Sequence, residues 1–516
     1  MVRTPVFTIL VLLGIILWSG SCRKNFEYAP SAGNLSFSRD TVFLDTVFSN
    51  IGSGTYALTV YNETRDDVVI PSIRLAKGPT SFYRLNVDGV AGKTFQNVPI
   101  KARDSMFVFI ETTIDVGSNP ENTLLYTDAI AFDSGLDQQE VQLVTLAKDA
   151  VFLYPRTNTD GTKETILLSV DDEGNEIRLE GFPLEDGQLR FTNEKPYVIY
   201  GYAAVPPSRE LIIDAGARVH FHKDSGVLVQ DGSAVRINGV PSEDQELLEG
   251  EVIFEGDRLE PAFSDIAGQW GVFWIASGSV NNTIDYLTVK NGSIGLLVEG
   301  DDQLLSPTVR IKNTRIYNSS IHNLRARNAF IEAENMVLGS SGSASLQCSL
   351  GGNYSFIHCT IANYWNNGFR RSAAVEIDNY VQVSETNTIT RDLLKADFRN
   401  CIIDGNSRIE LAFRANAQKQ FNYNFSHCLI KFNDFSDQFA DNPLYNFEDT
   451  TRYVSVLLNG EADFFFTSRN DFRVGLASSG LNSASLEFAQ QVPLDILGTA
   501  RTPNPDIGSY QAMAKE

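Results

Sequence analysis

The sequence predicts an all-β protein in which an N-terminal β-sandwich is followed by a right-handed parallel β-helix solenoid. Strand-length apolar segments alternate with turn-forming residues from residue 34 onward, and from residue 206 they recur at a regular spacing. A chain of 516 residues is long enough for about three domains, or for two if one is a long all-β unit.

Composition and charge narrow the functional classes. The chain has 42 Lys and Arg against 64 Asp and Glu, a net charge of −22 and an isoelectric point near 4.7. Such a chain has no broad basic surface to neutralise phosphates, so we expect no nucleic-acid partner. The five cysteines include no CxxC pair and no Cys/His cluster with zinc spacing, so neither a disulfide scaffold nor a zinc site is predicted.

Residues 1–21 have the layout of an export signal. Arg3 gives a short positive region, and the apolar stretch 6–18 is too short to span a bilayer comfortably. The small residues 19–21 followed by Cys22 resemble the lipobox of bacterial lipoprotein precursors, which implies that Cys22 is lipidated and becomes the mature N-terminus. Ser19 departs from the Leu usual in that motif, and an ordinary signal peptide followed by a cysteine is the alternative.

The lipobox resemblance also implies a cellular localisation, with the membrane as the binding partner of the lipid anchor. We expect an exported protein whose acyl chains hold it in the outer membrane of a Gram-negative bacterium, on the cell surface. No later segment has 18 consecutive apolar residues, so the rest of the chain is expected outside the bilayer. Residues 22–33 are polar, with Pro30 and Gly33, and are predicted to form a tether.

Residues 34–150 are predicted to form a β-sandwich. Short segments rich in β-branched and aromatic residues, such as 57–61, 105–110 and 141–146, are separated by turn formers such as 133–135. The order of strands and turns resembles the immunoglobulin-like domains of bacterial surface proteins, without the Cys…Trp…Cys pattern of antibody domains. That resemblance implies a spacer or docking module.

Residues 151–205 are predicted to be a transition that covers the N-terminal end of the solenoid. Their acidic run, 171–176, lacks the later Gly and Glu positions of an EF-hand loop. A solvated hairpin turn is therefore predicted there rather than a calcium site.

Residues 206–511 repeat as short strands separated by turns. Six triplets align in one column, and their first residues are separated by 27, 21, 24, 42 and 27 positions. The triplets begin at Leu287, Thr314, Asn335, Cys359, Cys401 and Cys428. Repeats of this size without helices predict a solenoid, with the first and third residue of each triplet stacked inside it.

Several stretches of the repeat region resemble a known group of proteins. The segment LIIDAGARVHF from Leu211, the later WGVFWIASGSVNNTIDYLTVKNG and the final RTPNPDIGSY are similar to the coils and closure of pectate-lyase-like surface β-helix proteins. The resemblance implies the β-helix fold for residues 206–511. It implies no single activity, because this fold hosts lyases, hydrolases, adhesins and passive binders.

Three of the stacked positions are cysteines, and we expect them to be buried as small apolar residues. These are Cys359, Cys401 and Cys428. His358 and His427 precede two of them and are expected on the opposite face of the strands, so no metal site is predicted. A disulfide involving Cys348 is left open by the sequence.

Charged residues on outward positions and turns are the candidates for chemistry. They are Asp285, Lys290, Asp301, Asp302, Arg310, Arg315, Arg325, Arg327, Arg370, Arg371, Asp378 and Asp404. No lyase or polygalacturonase motif is found among them, so we assign no catalytic residue and expect most of them to solvate the surface. The segment 369–395 breaks the coil spacing, and a long excursion on a rigid scaffold is a common place for function.

Aromatic side chains near turns offer a second route to function, because flat rings stack on sugar faces. Trp270, in a Trp-Gly pair at the start of a coil, is expected to fill the core. Together with the arginines of the irregular segment, the other aromatics form the predicted glycan-binding set. Its members are Trp274, Tyr364, Trp365, Arg370 and Arg371.

Three functions remain open. The leading hypothesis is a lipoprotein whose β-helix binds a glycan or a protein partner at the cell surface without catalysis and without a cofactor. The second is a polysaccharide lyase or glycoside hydrolase, with calcium expected only for a lyase. The third is a structural or adhesive surface protein. In each case the open ends of the solenoid need cover. The sandwich with residues 151–205 is expected to cover one end, and residues 441–516 are expected to cover the other.

Overall fold

The computed structural model describes residues 28–117, 123–171, 173–303, 305–385 and 387–515. The predicted signal, Cys22 and most of the tether lie outside the described residues. The chain divides at Asp149 and Ala150 into two compact units. Within the described ranges, no helix is both long and apolar enough to cross a membrane.

The first unit is a sandwich of two β-sheets. In the larger sheet the order begins at Ala29–Pro30, which is followed by Val68–Leu75, and the strand Thr94–Ile100 also pairs with Val68–Leu75. That sheet contains Ala29–Pro30, Thr41–Phe48, Val68–Leu75, Thr94–Ile100, Thr123–Phe132 and Gln139–Lys148. The smaller sheet is formed, in order, by Ser36–Phe37, Tyr56–Asn62, Asp104–Thr112, Tyr83–Val87 and Val90–Gly92.

Alternation along the strands builds the core of this sandwich. In Gln139–Lys148, for example, Val141, Leu143 and Ala147 are fully buried while Glu140 and Gln142 are exposed. Such period-two patterns bury one face of each sheet against the other.

The second unit is a parallel β-helix with three long sheets, which we call A, B and C in the order in which the chain meets them. Sheet A consists of Val151–Leu153, Tyr197–Ile199, Arg218–Phe221, Val252–Gly256, Leu287–Lys290, Arg315–Tyr317, Val337–Leu338, Thr360–Asn363, Ile402–Gly405, Leu429–Ile430 and Leu457–Leu458. Sheet B consists of Thr165–Val170, Glu176–Pro183, Tyr202–Val205, Gly226–Val229, Trp270–Ile275, Gly292–Glu299, His322–Arg327, Leu346–Ser349, Val375–Asp378 and Leu411–Arg414. Sheet C consists of Arg190–Phe191, Glu210–Asp214, Ala234–Asn238, Asn282–Asp285, Val309–Lys312, Phe330–Glu334, Gly352–Ile357, Leu393–Arg399, Asn424–Ser426 and Tyr453–Val454.

These sheets confirm the predicted fold class. Each coil contributes one strand to each sheet, and the strands within a sheet pair in parallel, apart from the antiparallel hairpin that starts sheet B. The acidic run near Asp171 forms the turn of that hairpin, as predicted.

The remaining elements are short. They are the hairpins Tyr380–Gln382 with Thr388–Thr390 and Phe464–Phe466 with Asp471–Val474, the α-helix Leu486–Gln491, and the 3₁₀ turns Gly78–Thr80, Gly135–Asp137, Asp186–Gln188, Pro261–Phe263, Pro443–Tyr445 and Thr467–Arg469.

The pairing in sheet A corrects one member of the predicted column. Arg315 pairs with Val337 and Val337 pairs with Thr360, so Met336, rather than Asn335, stands in line with Thr314 and Cys359. Met336 is fully buried in the solenoid core. The alignment by triplets was wrong by one residue at this coil, and the other five triplets keep their register.

Asn335 belongs to the tight turn from sheet C to sheet A instead of the strand. Its backbone is left-handed, with a φ of 50° at Asn335, and the residue before each neighbouring triplet is left-handed too. These turn residues are Tyr286, Asn313, Asn335, His358, Asn400 and His427. Asn tolerates this conformation better than other residues with a Cβ atom. The histidines thus lie in turns, and the expectation that they sit on the strands was wrong.

The last part of the chain does not simply close the end of the solenoid. Phe432, Tyr445 and Tyr453 do pack on the C-terminal end of the core. Residues 459–515, which we call the strap, instead lie along the outer face of sheet A, where Phe472 and Tyr510 pack with Val337, Ile402 and Leu429. The expectation that all of 441–516 forms an end cap was therefore wrong, because sheet A presents an apolar outer face that needs cover.

Candidate functional site

The outer face of sheet B is the best candidate for a binding surface. The strap occupies much of the outer face of sheet A. On sheet C a shallow depression of about 390 Å³ is lined by residues that pair with one another, Arg310 with Glu332 at 3.0 Å and Lys312 with Glu334 at 2.7 Å. Such cross-strand pairs satisfy each other's charges.

Long connections border sheet B at both ends of its strands. Those that enter it from sheet A include residues 257–269, 339–345 and 364–374. Those that leave it for sheet C include residues 379–392, which contain a small hairpin, and 415–423. By contrast, the later turns from sheet C to sheet A have only one or two residues, such as 286 and 313–314.

Two rows of outward side chains cross the middle of sheet B, and we call them together the sheet B face. Register places alternate residues of neighbouring strands side by side, so each row runs across the strands. The first row contains Trp274, Leu297, Arg325, Gln347 and Glu376, and the second contains Glu299, Arg327, Ser349, Asp378 and Arg414.

Trp274 and Glu299 form one end of this face. The indole Nε1 of Trp274 donates a hydrogen bond to Oε2 of Glu299 at 2.9 Å, and the Arg327 guanidinium lies 3.0 Å from the other carboxylate oxygen. Trp274 also packs against a small apolar cluster on this face that consists of Ile166, Tyr202, Ala204 and Leu228. Its orientation is therefore set by both packing and hydrogen bonding.

Two carboxyl groups lie at the other end, on the same strand. Nη2 of Arg414 is 3.3 Å from Asp378 and 3.9 Å from Glu376, and Gln347 donates a hydrogen bond to Glu376 at 3.2 Å. The backbone N–H of Leu350 donates to Asp378 at 2.8 Å. Burial raises the pKa of Asp378 above its ordinary value despite these partners, so this carboxyl holds a proton more readily than a solvated one.

Arg325, between these two ends, differs from the other arginines of the face. Within the described ranges its guanidinium has no hydrogen bond or ion pair, and its Nε is buried without a partner. The side-chain oxygen of Gln347, at the paired position of the next strand, is buried and unpartnered as well. Burial, and then the positive charge of Arg327, lower the pKa of Arg325.

The structure places the five predicted glycan-binding residues in different surroundings, and only Trp274 belongs to the sheet B face. Tyr364 donates a hydrogen bond to Asp404 at 3.0 Å, and its ring packs on Phe464 and Phe472 of the strap. Trp365 is only 9% exposed. These two aromatic residues therefore hold the loop 364–374 in place rather than present flat rings to a ligand.

The two predicted arginines also differ. Arg370 is 6% exposed and pairs at 2.7 Å with Glu410, which is fully buried. The side chain of Arg371 points into solvent. Arg370 therefore stabilises the fold locally, and of the two only Arg371 is free to reach a ligand.

The wider set of charged candidates is dispersed over the solenoid. Asp285 and Arg310 lie on sheet C, whereas Lys290, Arg315 and Asp404 lie on sheet A. Arg325, Arg327 and Asp378 are the members that meet on the sheet B face. Glu299, Gln347 and Glu376 were missed, although the spacing of Glu376 and Asp378 by two residues within a strand was a usable signal.

The cysteines are structural. Cys348, Cys359, Cys401 and Cys428 are buried free thiols, and the last three stack in the interior column as predicted. Burial raises the pKa of Cys359 and of Cys428. In the described part of the chain, no group of three or more His, Cys, Asp or Glu side chains is arranged to hold a metal ion.

Comparisons with known proteins give no family for this chain. No family model and no curated protein matches it. Among solved structures, it is similar to the catalytic unit of a GH87 alpha-1,3-glucanase from Streptomyces thermodiastaticus, with 11% identity, 72% of this chain and 79% of that chain covered, and a TM-score of 0.21. A PapD-like domain of human CEP192 matches with 8% identity over 24% of this chain and 89% of that domain, with a TM-score of 0.16.

A family 123 glycoside hydrolase from Clostridium perfringens matches with 8% identity over 22% of this chain and 26% of its own, with a TM-score of 0.15. All of these scores are below 0.5. Neither the fold described above nor the function proposed below rests on them.

Proposed function

We propose that the β-helix unit binds a glycan on the sheet B face. The observation that carries the proposal is a row of outward side chains on sheet B that begins at the indole of Trp274. Beyond Leu297, the row continues across neighbouring strands with the hydrogen-bonding groups of Arg325, Gln347 and Glu376. Sugars present hydroxyl groups at their edges and C–H groups on their faces. A row of donors and acceptors about 4.8 Å apart, next to an aromatic ring, suits such a ligand.

Binding without turnover is the leading form of this proposal. Glu299 and Glu376 are both engaged by neighbouring donors, which fixes their positions. A surface protein as the partner, rather than a glycan, is the other outcome that a binding screen would detect.

One observation favours an enzyme as the second candidate. Glu376 and Asp378 lie two residues apart on one strand face, and burial raises the pKa of Asp378. Most glycoside hydrolases use two carboxyl groups, one of which holds a proton at the pH of reaction. In that case Asp378 would donate the proton and Glu376 would act as the base. Calcium belongs to the proposal only if the reaction is that of a lyase.

The cellular localisation of the protein is a further part of the proposal. We propose that Cys22 is lipidated after removal of residues 1–21, so that the chain is anchored in the outer membrane and displayed on the cell surface. The sandwich, with its immunoglobulin-like order of strands and turns, would then serve as a spacer. A structural or adhesive role is kept as the third alternative.

The test is a binding and depolymerisation screen, with and without calcium, on a chain that begins at Arg23 and so keeps the strand Ala29–Pro30. Arg327→Gln is the site variant and Arg310→Gln is its control, because each arginine pairs with a glutamate at 3.0 Å, one on sheet B and one on sheet C. Glycan binding that is lost only in Arg327→Gln supports the proposal, and equal loss in both variants contradicts it. Product formation that is abolished by Asp378→Asn would establish the enzyme instead.

A further inference from the structure

We infer that the glycan bound on the sheet B face carries one isolated anionic group, a carboxylate or a sulfate, which pairs with Arg325. This inference rests on the proposed function and names the chemical class of its ligand. It starts from a guanidinium that the folded chain leaves without a partner.

The state of Arg325 is unusual for this face. Arg327 is paired with Glu299, and Arg414 is paired with Asp378. In the part of the chain that the structure describes, Arg325 has neither a hydrogen bond nor an ion pair, and its Nε is shielded from solvent. Removing a charged group from water without a compensating partner is unfavourable, so a partner from outside the chain would gain binding free energy here.

A planar guanidinium selects the chemistry of that partner. Arginine stays protonated at physiological pH and offers several N–H donors in one plane, which match the oxygens of a carboxylate or a sulfate. The side-chain oxygen of Gln347, at the paired position of the next strand, is an acceptor that is buried without a hydrogen-bond partner. Arg325 therefore suits an acidic group on the ligand.

The surrounding charges limit the ligand to an isolated anionic group. Asp378 and Glu299 are close enough to act electrostatically on Arg325, and each is already bound to another arginine. Glu376 lies on the strand after Gln347 in the same row. A glycan with an acid on every sugar would place further negative charges beside these carboxylates, in a protein whose net charge is −22. A neutral chain with a single acidic substituent avoids that repulsion.

The experiment compares matched oligosaccharides on the chain that begins at Arg23, which keeps the strand Ala29–Pro30. The probes are neutral oligosaccharides, the same chains with one uronic acid, the same chains with one sulfate ester, and a polyuronate. We expect the wild-type protein to bind a singly charged chain about tenfold more tightly than its neutral parent, because one charge-assisted hydrogen bond gives a gain in affinity of about that size. Arg325→Gln should abolish that preference, and Arg310→Gln should retain it. The uronate and sulfate arms show which anion is recognised.

Several results would overturn the inference. Equal binding of neutral and singly charged chains by the wild-type protein would refute it while leaving the proposed function intact, as would tighter binding of the polyuronate. Absence of binding to every glycan would refute the proposed function, and the inference with it. A second readout needs no ligand: Arg325→Met should unfold at the same or a higher temperature than the wild-type protein, because it removes an uncompensated charge. A clear drop in its unfolding temperature would show that Arg325 stabilises the fold instead.

Discussion

Replacing Arg370 by Ala should destabilise the β-helix unit, whereas replacing its neighbour Arg371 should not. Arg370 donates hydrogen bonds to the carboxylate of Glu410 at 2.7 Å and to the carbonyl oxygen of Asn363 at 2.9 Å. Glu410 in turn accepts from the backbone N–H of Ser407. The Arg370–Glu410 pair thus connects two loops that enter sheet B.

The expected magnitude follows from burial. Removing one partner of a buried ion pair leaves the other charge uncompensated, which costs about 3–5 kcal/mol. Glu410 is fully buried and the Arg370 side chain is 6% exposed, so screening by solvent is slight. Arg371 is exposed, and a surface substitution of this kind changes stability by less than about 0.5 kcal/mol.

The loss should also depend on pH. Burial raises the pKa of Glu410 above its ordinary value, and the Arg370 guanidinium opposes that shift. Without Arg370 the folded-state pKa of Glu410 rises further. A carboxyl with a raised folded-state pKa favours folding below its unfolded-state pKa, and that contribution is lost as pH rises through the folded-state value. Arg370→Ala is therefore expected to lose more stability at pH 8 than at pH 5.

Thermal unfolding of the chain that begins at Arg23 measures these effects. At pH 8 we expect Arg370→Ala to lower Tm by at least about 5 °C and Arg371→Ala to leave it nearly unchanged. Adding Glu410→Gln to Arg370→Ala should recover part of the loss at pH 8, because it removes the uncompensated charge. Equal Tm values for the two single arginine variants would refute the reasoning. So would a smaller loss at pH 8 than at pH 5.

Three other predictions concern the turns, the thiols and the anchor. His358 is buried under the strap, between the carbonyl oxygen of Gly508 at 3.1 Å and the Asn400 amide at 2.9 Å, and burial lowers its pKa well below its ordinary value. A lowered folded-state pKa contributes stability above about pH 6.5, and that contribution is lost as the pH falls. Asn suits the left-handed turn, so the His358→Asn protein should fold and should show a smaller fall in Tm between pH 7.5 and pH 5 than the wild-type protein. An unchanged pH dependence of Tm would contradict this. The buried thiols, such as Cys359, should react with a thiol reagent only after unfolding, and stoichiometric labelling of the native protein would contradict their interior position. Cys22→Ala should abolish incorporation of labelled fatty acid and release the protein from the membrane fraction, and retention of label would show that another residue is acylated.

The fold was predictable because its signal is local and repeated. Triplets that recur every 21 to 27 residues, apart from one gap of 42, identify the strands of sheet A, and five of the six triplets keep the predicted register. The error at Asn335 arose because the alignment treated a turn residue as part of the strand. Asn313 and Asn400 directly precede their triplets, so an asparagine at this position marks the turn and restores the register.

The position of the binding face was not predictable in the same way. Which outer face stays uncovered depends on where the strap packs, and that packing joins residues far apart in sequence, such as His358 and Gly508. Alternation within a strand can show that Arg325 and Arg327 share one face. It cannot show that a distant segment covers sheet A and leaves sheet B free.

The contrast between Arg370 and Arg325 shows which property identifies a binding residue in this solenoid. Arg370 drew attention because it lies in an irregular segment, yet such a segment must satisfy its own buried polar groups, and its charge is used for that purpose. Arg325 lies on a regular strand, whose hydrogen bonds are provided by the neighbouring coils and whose side-chain spacing is fixed by them. A strand residue can therefore leave its charge free without loss of local order. In this protein the unpaired charge on the regular scaffold, rather than the irregularity of a loop, is the stronger evidence for a site.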